Sequence, residues 1–348
     1  MRFFLHLIFW GFAITELKSQ QIVFGQITDE IDGTPICLAE IFIANSTIGT
    51  ITDDSGNYQI KVPVKGAFEI VVNHVGYLPV VLKIDNPAPL HKVDISMKTN
   101  ELTEIVVTAR RNYRQRDVSV FWNKLLGERP SSRRIEVLNA EKVYYFRNSD
   151  NVLKVSCKEP IKIINHEMGY LIWYVLDSFQ HDYNSGSSTI FGSPYFMELI
   201  PEGNRQKTNW EKKRKEVYNI SINRFLRCLY QRKLNENGFL ITKKDSVWYA
   251  NTTFPLDNIL QMEQDKVQLK IETPLLLACI SRPVTDQMIL NTWDTLFGPN
   301  SFFPITILLP QHIYIYSDGT YSGMLKIQEY RNSINGLKSR LPDDYEDM

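Results

Sequence analysis

Between residues 21 and 110 the apolar positions come in short bursts separated by turn-forming residues. Residues 22–28, 36–43, 48–52, 58–62, 68–73, 78–84, 93–98 and 102–108 have strand composition. Residues 29–35 and the run Asp53-Asp54-Ser55-Gly56 have turn chemistry. Tyr58-Gln59-Ile60-Lys61-Val62 alternates apolar and polar, as a strand with one buried face does. Short strands at this spacing predict an all-β sandwich of about seven strands. The pattern then changes. Residues 111–117 form a polar, basic linker, and a second region opens near residue 118. Strand composition returns at 153–157, 161–165, 171–179, 239–242, 267–272, 305–309 and 312–316. Ser317-Asp318-Gly319-Thr320 reads as a hairpin turn into 321–327. Residues 207–234 differ, because Val217, Ile220, Ile222, Phe225, Leu226, Leu229 and Tyr230 recur at helical spacing and Gly238 offers a stop. The pattern predicts an N-terminal all-β sandwich followed by an α+β domain over 118–348, with one main helical segment on a sheet.

Three motifs in the first region carry a resemblance. They are Val23-Phe24-Gly25-Gln26-Ile27, the run from Gly49 through Asp53-Asp54-Ser55-Gly56-Asn57-Tyr58, and His74-Val75-Gly76-Tyr77. Together they resemble the carboxypeptidase-regulatory-like domain, a transthyretin-like (prealbumin-like) sandwich common in the cell envelopes of Bacteroidetes. The resemblance covers nearly all of 21–110 and implies a structural or interaction role, not peptidase activity. Residues 101–109 are similar to the junction leading into the plug of TonB-dependent receptors, where a related segment contacts TonB. The residues after 110 are too few for a large barrel, whose strands need about 9–11 residues each. The simpler reading of 101–109 is a last strand and exit linker. Phe121-Trp122, Phe146, the run Asn165 to Tyr170, Trp210-Glu211-Lys212-Lys213-Arg214, the run Ser221 to Arg227, and Leu341-Pro342-Asp343-Asp344-Tyr345 resemble the downstream domain that accompanies this sandwich in Bacteroidetes proteins. That resemblance implies an architecture and no reaction.

The N-terminus sets the expected compartment. Arg2 precedes an apolar run from Phe3 to Ile14, and Leu17 and Ser19 stand where a signal peptidase cuts. Residues 1–20 are expected to be a secretory signal peptide. The run falls well short of the roughly 20 residues that span a bilayer. No transmembrane span is expected after cleavage, and the chain is expected in the periplasm or associated with the outer membrane. Lys and Arg total 39, as do Asp and Glu, so the net charge of +0 argues against a general nucleic-acid binder. Cys37, Cys157, Cys228 and Cys279 are widely spaced with no C-x-x-C pair, so isolated buried thiols are expected in place of a zinc site. An oxidising compartment would permit bridges, and the pairing stays open.

The chemical motifs fail one by one. None of the six histidines has Glu three residues on, and His166-Glu167 has Tyr170 where a zincin helix needs its second His. Counting from Asp53, Tyr58 and Val64 occupy the sixth and twelfth positions, where a calcium loop of the EF-hand type needs Gly and Glu. Gly186-Ser187-Ser188 lacks the second glycine of G-x-S-x-G, and no glycine-rich phosphate loop occurs. No catalytic residue, metal ligand or cofactor is therefore assigned. A carboxylate pair far apart in sequence stays open, as glycosidases use. Residues 207–215 are a basic run broken by Glu211, which reads as the solvated start of a helix or as a surface for acidic glycans or lipid headgroups. Arg224 and Arg227 flank Phe225 and Leu226, so each either packs on an aromatic, pairs with a buried acid or serves a ligand. The candidate interaction residues are Trp122, Glu167, Tyr170, Trp210, Arg224 and Arg227. The expected function is a non-enzymatic cell-envelope structural or binding protein with a protein or glycan partner. The alternatives are an envelope hydrolase of peptide or glycan with its acids in the second domain, and an accessory to a TonB-dependent outer-membrane system.

Overall fold

The structure is a computed structural model describing residues 21–63, 66–85, 90–100, 115–127, 130, 133–243, 255–279, 305–322, 327–331 and 337–345. The expected signal peptide and the 101–109 segment lie outside the described residues. The N-terminal part holds strands β1 (Gln21–Asp29), β2 (Glu40–Ile43), β3 (Gly49–Ile51), β4 (Asn57–Val62), β5 (Phe68–Asn73), β6 (Val80–Ile84), β7 (Leu90–Lys92) and β8 (Ile95–Met97). β1 pairs antiparallel with β4 and parallel with β7 and β8, and the second sheet runs β3-β2-β5-β6. The alternation in β4 puts Tyr58, Ile60 and Val62 inside and Asn57, Gln59 and Lys61 outside. Those inward residues meet Val23 and Ile27 of β1 and Ile41, Ile43, Ile70 and Val72 of the facing sheet. The sandwich matches the sequence expectation. Its second strand is shorter than 36–43, and β7 was not foreseen because Leu90-His91-Lys92 holds a single apolar residue and so shows no alternation.

The next part opens with α1 (Gln115–Leu126), followed by β9 (Ile135–Val137), β10 (Val143–Arg147), β11 (Val152–Cys157), β12 (Ile161–Asn165), β13 (Tyr170–Asp182) and β14 (Ser188–Glu198). The sheet order is β10-β11-β13-β12-β9, with β14 along the other edge of β13. A bulge between Leu176 and Ser178 lets β13 serve β12 with its first half and β11 with its second. α1 lays Phe121, Trp122, Leu125 and Leu126 on the inner face of this sheet, against Leu153, Ile161, Ile163, Tyr170, Ile172, Phe179 and Phe196.

The last part begins with α2 (Asn204–Tyr218) and α3 (Ile222–Tyr230), followed by β15 (Phe239–Lys243), β16 (Leu260–Glu263), β17 (Lys266–Ile271), β18 (Leu275–Cys279), β19 (Ile305–Leu308), β20 (Gln311–Tyr316), β21 (Tyr321–Ser322) and β22 (Ile327–Arg331). Two sheets, β15-β18-β19-β22 and β16-β17-β20-β21, share a core with Phe225, Leu226, Cys228 and Leu229 of α3. The region expected as one helical segment on a sheet thus has a second and a third hydrophobic core. The helical segment is two helices, because Ser221 leaves the helical conformation and accepts the amide of Arg224 at 3.2 Å to start α3. No helix among the described residues is long and apolar enough to cross a membrane. The four cysteines are free thiols; Cys228 and Cys279 are buried as expected, but Cys37 is exposed and Cys157 only half-buried.

Candidate functional site

Tyr170, Trp210 and Glu167 meet where β12 turns into β13 beneath α2. Asn165 closes the turn, its side-chain oxygen accepting the amides of Glu167 at 3.1 Å and Met168 at 3.0 Å. Gly169 has φ +68° and lies under Trp210, where a Cβ would come within 2.3 Å of the indole. Only glycine meets both conditions cheaply. The indole Nε1 donates to the carbonyl of His166 at 2.8 Å. One helical turn on, Arg214 is buried. Its Nε donates to the Met168 carbonyl at 2.7 Å, one Nη to the Gly169 carbonyl at 3.2 Å, and the other to Glu198 at 3.1 Å. Its guanidinium stands 4.1 Å from the centre of the Tyr170 ring. Tyr170 is fully buried, its hydroxyl has no hydrogen-bond partner among the described residues, and burial raises its pKa. Glu167 points outward, 3.6 Å from Nε of Arg134, and His166 faces Glu136 at 3.1 Å. Chemically this cluster is a buttress: its one buried cation is spent on three acceptors and a ring. The sequence places Arg214 in a solvated basic face, and the structure corrects this, because Trp210, Arg214 and Val217 form the buried stripe of α2.

Arg224 and Arg227 serve a different place. Arg224 donates to the carbonyls of Asn219 at 2.8 Å and Asn237 at 3.0 Å, closing the break between α2 and α3, and stands 5.3 Å from the ring of Phe239. Arg227 donates to the Asp318 carbonyl at 2.6 Å, the Tyr218 hydroxyl at 2.9 Å, and the carbonyls of Tyr345 and Asp343 at 3.3 Å each. Trp122 lies apart from both sites, tilted against Phe121 at 4.8 Å inside the α1 core.

The residues that fasten the sandwich to the rest were not singled out from the sequence, except for the Asp343-Asp344-Tyr345 motif. The turn after β2 runs along β14: the Asn45 amide donates to the Pro194 carbonyl at 2.6 Å and the Phe196 amide to the Ser46 carbonyl at 3.0 Å. Tyr195 stacks on Phe42 with centroids 4.6 Å apart, in a small apolar contact with Ala44, Val71 and Val175. Ser193 donates to Glu69 at 2.7 Å. Residues 337–345 then tie all three parts together. Leu337 and Leu341 enter the α1 core, Asp344 accepts the Thr47 amide at 3.0 Å, and Asn223 of α3 donates to Asp343 at 2.6 Å. Withdrawal from water pushes the Asp343 carboxyl above the usual range, against the smaller opposing pull of Arg340.

A second buried charge was also missed. Asp117 at the start of α1 is bound by Arg147 and accepts the Tyr183 hydroxyl at 2.6 Å, while Arg147 stacks 4.1 Å from the Tyr183 ring. Only the tertiary fold brings these three elements together, and no local signal marks them. Nearby, His181 shares a 2.7 Å hydrogen bond with Ser188, its cross-strand partner, and desolvation lowers its pKa. Among the described residues no group of three or more His, Cys, Asp or Glu side chains is arranged to hold a metal ion.

The family of the CarboxypepD_reg-like domain matches residues 23–107. Over 108 residues, 31% of this chain, the sequence is 31% identical to the TonB-dependent receptor SusC of Bacteroides thetaiotaomicron. Over 97 residues, 28% of this chain, it is 31% identical to the TonB-dependent receptor P3 of Formosa agariphila. Each match spans 10% of the receptor's length. Among solved structures, a type II cohesin–X-dockerin complex from Acetivibrio cellulolyticus aligns with 22% of this chain and 52% of its own, at 17% identity and a TM-score of 0.20. Through residues 23–107, the sandwich of β1 to β8, the chain carries a CarboxypepD_reg-like domain.

Proposed function

We propose that the protein is a non-enzymatic cell-envelope binding protein, exported by a signal peptide at residues 1–20, in which the sandwich of 21–110 is held to a partner-binding region that opens with α1; the linker expected at 111–117 gives way at Gln115, where that helix starts. The observation that carries this reading is the way the sandwich is fastened. A module similar to the one in TonB-dependent receptors sits against β14 through Phe42 and Tyr195 and is strapped down by residues 337–345. Such a joint holds two surfaces in a set relation, which suits presentation of a binding face. The buried charges nearest the candidate residues are committed to structure: Arg214 to two carbonyls and Glu198, and Arg227 to Asp318, Tyr218 and the strap. Trp122, Tyr170, Trp210, Arg224 and Arg227 are likewise spent on packing and backbone contacts at three separate places, and Glu167 points outward beside Arg134.

The similarity to SusC and P3 supports a second, narrower reading, in which the protein is an accessory of a TonB-dependent outer-membrane system. Crosslinking in the native host with mass spectrometry of the captured material tests both. Capture of envelope protein or glycan supports binding, and capture of a TonB-dependent receptor supports the narrower form. Loss of peptide or glycan turnover on gene deletion, with nothing captured, overturns both in favour of an envelope hydrolase.

A further inference from the structure

The four cysteines are spread unevenly over the molecule. Cys37 is exposed on the sandwich, and Cys157 of β11 sits half-buried at the margin of the α1 core, its thiol 3.4 Å from the Lys142 carbonyl. Cys228 and Cys279 both lie in the last core and are each 5% exposed. Three contacts set them side by side. Cys279 of β18 stands opposite Phe239 of β15, and Phe239 meets Phe225 of α3 edge to face with ring centroids 5.6 Å apart. Cys228 is one helical turn after Phe225 on the same buried face of α3. The Asn219 carbonyl, at the break before α3, accepts from the Cys279 thiol at 3.2 Å and from the Arg224 guanidinium at 2.8 Å, and Arg224 precedes Cys228 by one turn. The thiols also act on each other: desolvation raises the Cys228 pKa, Arg224 lowers it, and charge at Cys279 raises it again.

A disulfide joins cysteines whose Cα atoms are within about 7 Å, and such bonds form and persist in oxidising compartments. Cys228 and Cys279 share one core, whereas Cys37 lies on the sandwich and Cys157 on the second sheet. Burial decides when the pair reacts. An oxidant reaches these thiols before the last core closes or when α3 opens, and the closed core then shields the bond from reductants. A bridge ties α3 to the sheet behind it. Asn223 and Arg227 of α3 hold the strap through Asp343 and Tyr345, and Arg227 holds the 317–320 turn through Asp318. Fixing this helix therefore firms the strap as well as the core.

We infer that Cys228 and Cys279 close a disulfide between α3 and β18 when the chain folds in an oxidising compartment. The structure holds the reduced form of this pair. The step is a thiol–disulfide exchange with a small-molecule disulfide or a disulfide-bearing thiol oxidoreductase. One protein thiolate attacks a sulfur of the oxidant and releases the other sulfur as a thiol. The second protein thiolate then displaces the first from the mixed disulfide. The protein loses two hydrogens and two thiols become one S–S bond, while the oxidant is reduced from one disulfide to two thiols. The inference rests on the reading above only for the export of the chain.

Refolding of the reduced, urea-unfolded full chain in a buffer of reduced and oxidised glutathione, followed by peptide mapping without reduction, tests it. One linked peptide pair carrying Cys228 and Cys279 is expected, with Cys37 and Cys157 outside it. The thermal midpoint of the bridged chain is expected about 5 °C above that of the reduced chain, because the bond closes a loop of about fifty residues. Cys228→Ala and Cys279→Ala are each expected to lose this difference. The difference is read within each variant, so a midpoint lowered by the lost side chain does not mask it. Absence of the linked pair, a bridge that includes Cys37 or Cys157, or an undiminished difference in Cys228→Ala overturns the inference. Thiol mapping of the chain recovered from the native host separates its failure from that of export. A chain that bridges on refolding but is recovered reduced from the cytosol overturns export and leaves the bridge standing. A chain recovered from the envelope with both thiols reduced overturns the bridge.

Discussion

Arg214 stands with its guanidinium 4.1 Å from the centre of the Tyr170 ring, a helix residue held flat over the first residue of the longest strand. The cation fixes α2 to the turn beneath it by satisfying the Met168 and Gly169 carbonyls, which would otherwise be left in a poorly solvated place. Hydrogen bonds to charged groups contribute about 1.5–3 kcal/mol each when buried. Arg214→Ala is therefore expected to cost about 2–4 kcal/mol in urea unfolding. Arg214→Lys recovers little, because one ammonium cannot serve both carbonyls or lie flat on the ring. Glu198 is 60% exposed, so Glu198→Gln is expected to cost under about 1 kcal/mol. Equal losses from Arg214→Ala and Glu198→Gln would show that the ion pair, and not the carbonyls, is what matters.

The same turn separates two reasons for a glycine. Gly169 and Gly186 have nearly the same φ, +68° and +72°, but a Cβ at Gly186 meets nothing within 4 Å, whereas at Gly169 it enters the Trp210 ring. Gly186→Ala bears only the left-handed backbone cost of about 1–2 kcal/mol. Gly169→Ala adds displacement of the indole and loss of its bond to His166, for a total of about 3 kcal/mol or more. A blue-to-red shift of tryptophan emission in Gly169→Ala, absent from Gly186→Ala, would report the displaced ring; identical midpoints for the two variants would count against the packing argument.

How far these relationships could be read in advance depended on whether their cause was local. The alternation of β4 was legible because one face of a strand is buried and the other wet, and the residue types carry that directly. Strand β14 was not legible, because Gly192 and Pro194 punctuate it; both are tolerated since, beyond β13, the described residues pair β14 only with the short turn at Asn45 and Ser46, where Pro194 serves as an acceptor. Residues 118–122 look like a strand in isolation, yet Phe121, Trp122, Leu125 and Leu126 form one buried helical face when the next turn is included. Tyr170 and Trp210 were singled out together and do come together. Arg214, which joins them, was lost in a run of lysines, since its burial arises from a turn more than forty residues upstream.

The thiols should react in order of exposure. Cys37 is exposed, while burial raises the pKa of Cys157 and Cys228 and so lowers their thiolate fractions. With a colorimetric disulfide reagent at pH 8, Cys37 is expected to react first, Cys157 more slowly, and Cys228 and Cys279 only after denaturation. Peptide mapping of the modified protein identifies the sites. Early modification of Cys228 would mean that α3 opens readily.

Asp343 gives a pH dependence of definite sign. Its carboxyl has a raised pKa in the fold, chiefly through desolvation, so the native state holds that proton more tightly than the unfolded chain does. Its contribution to stability is fully present below the unfolded value near 3.8 and is lost as pH rises through the folded pKa. Asp343→Asn keeps an oxygen to accept from Asn223 and removes the charge. The substitution is expected to raise the unfolding midpoint at pH 7 and to leave it nearly unchanged at pH 3.5. A lower midpoint at pH 7 would show that attraction to Arg340 and Arg227 outweighs desolvation at the strap.

Tyr195 decides whether the sandwich and the sheet of β9 to β14 unfold as one. Its ring covers Phe42, and Gly49 lies so close that a Cβ there would come within 2.6 Å of the Tyr195 hydroxyl. Beyond this stack the apolar contact between the two parts comprises Ala44, Val71 and Val175, and the remainder of the joint is polar. Truncating a fully buried aromatic costs about 3–5 kcal/mol, and half-buried Tyr195 accounts for a part of that, still a large share of what a small joint can supply. Because each part keeps its own core, the loss falls on coupling and not on either fold. Tyr195→Ala is expected to split one calorimetric transition into two, with the sandwich melting separately. Thr47→Ala, which removes only a side-chain bond to Asp344, is expected to lower the midpoint while keeping a single transition. A single transition in both variants would mean that the strap alone couples the parts. Two transitions in the unaltered protein would mean that the joint never coupled them.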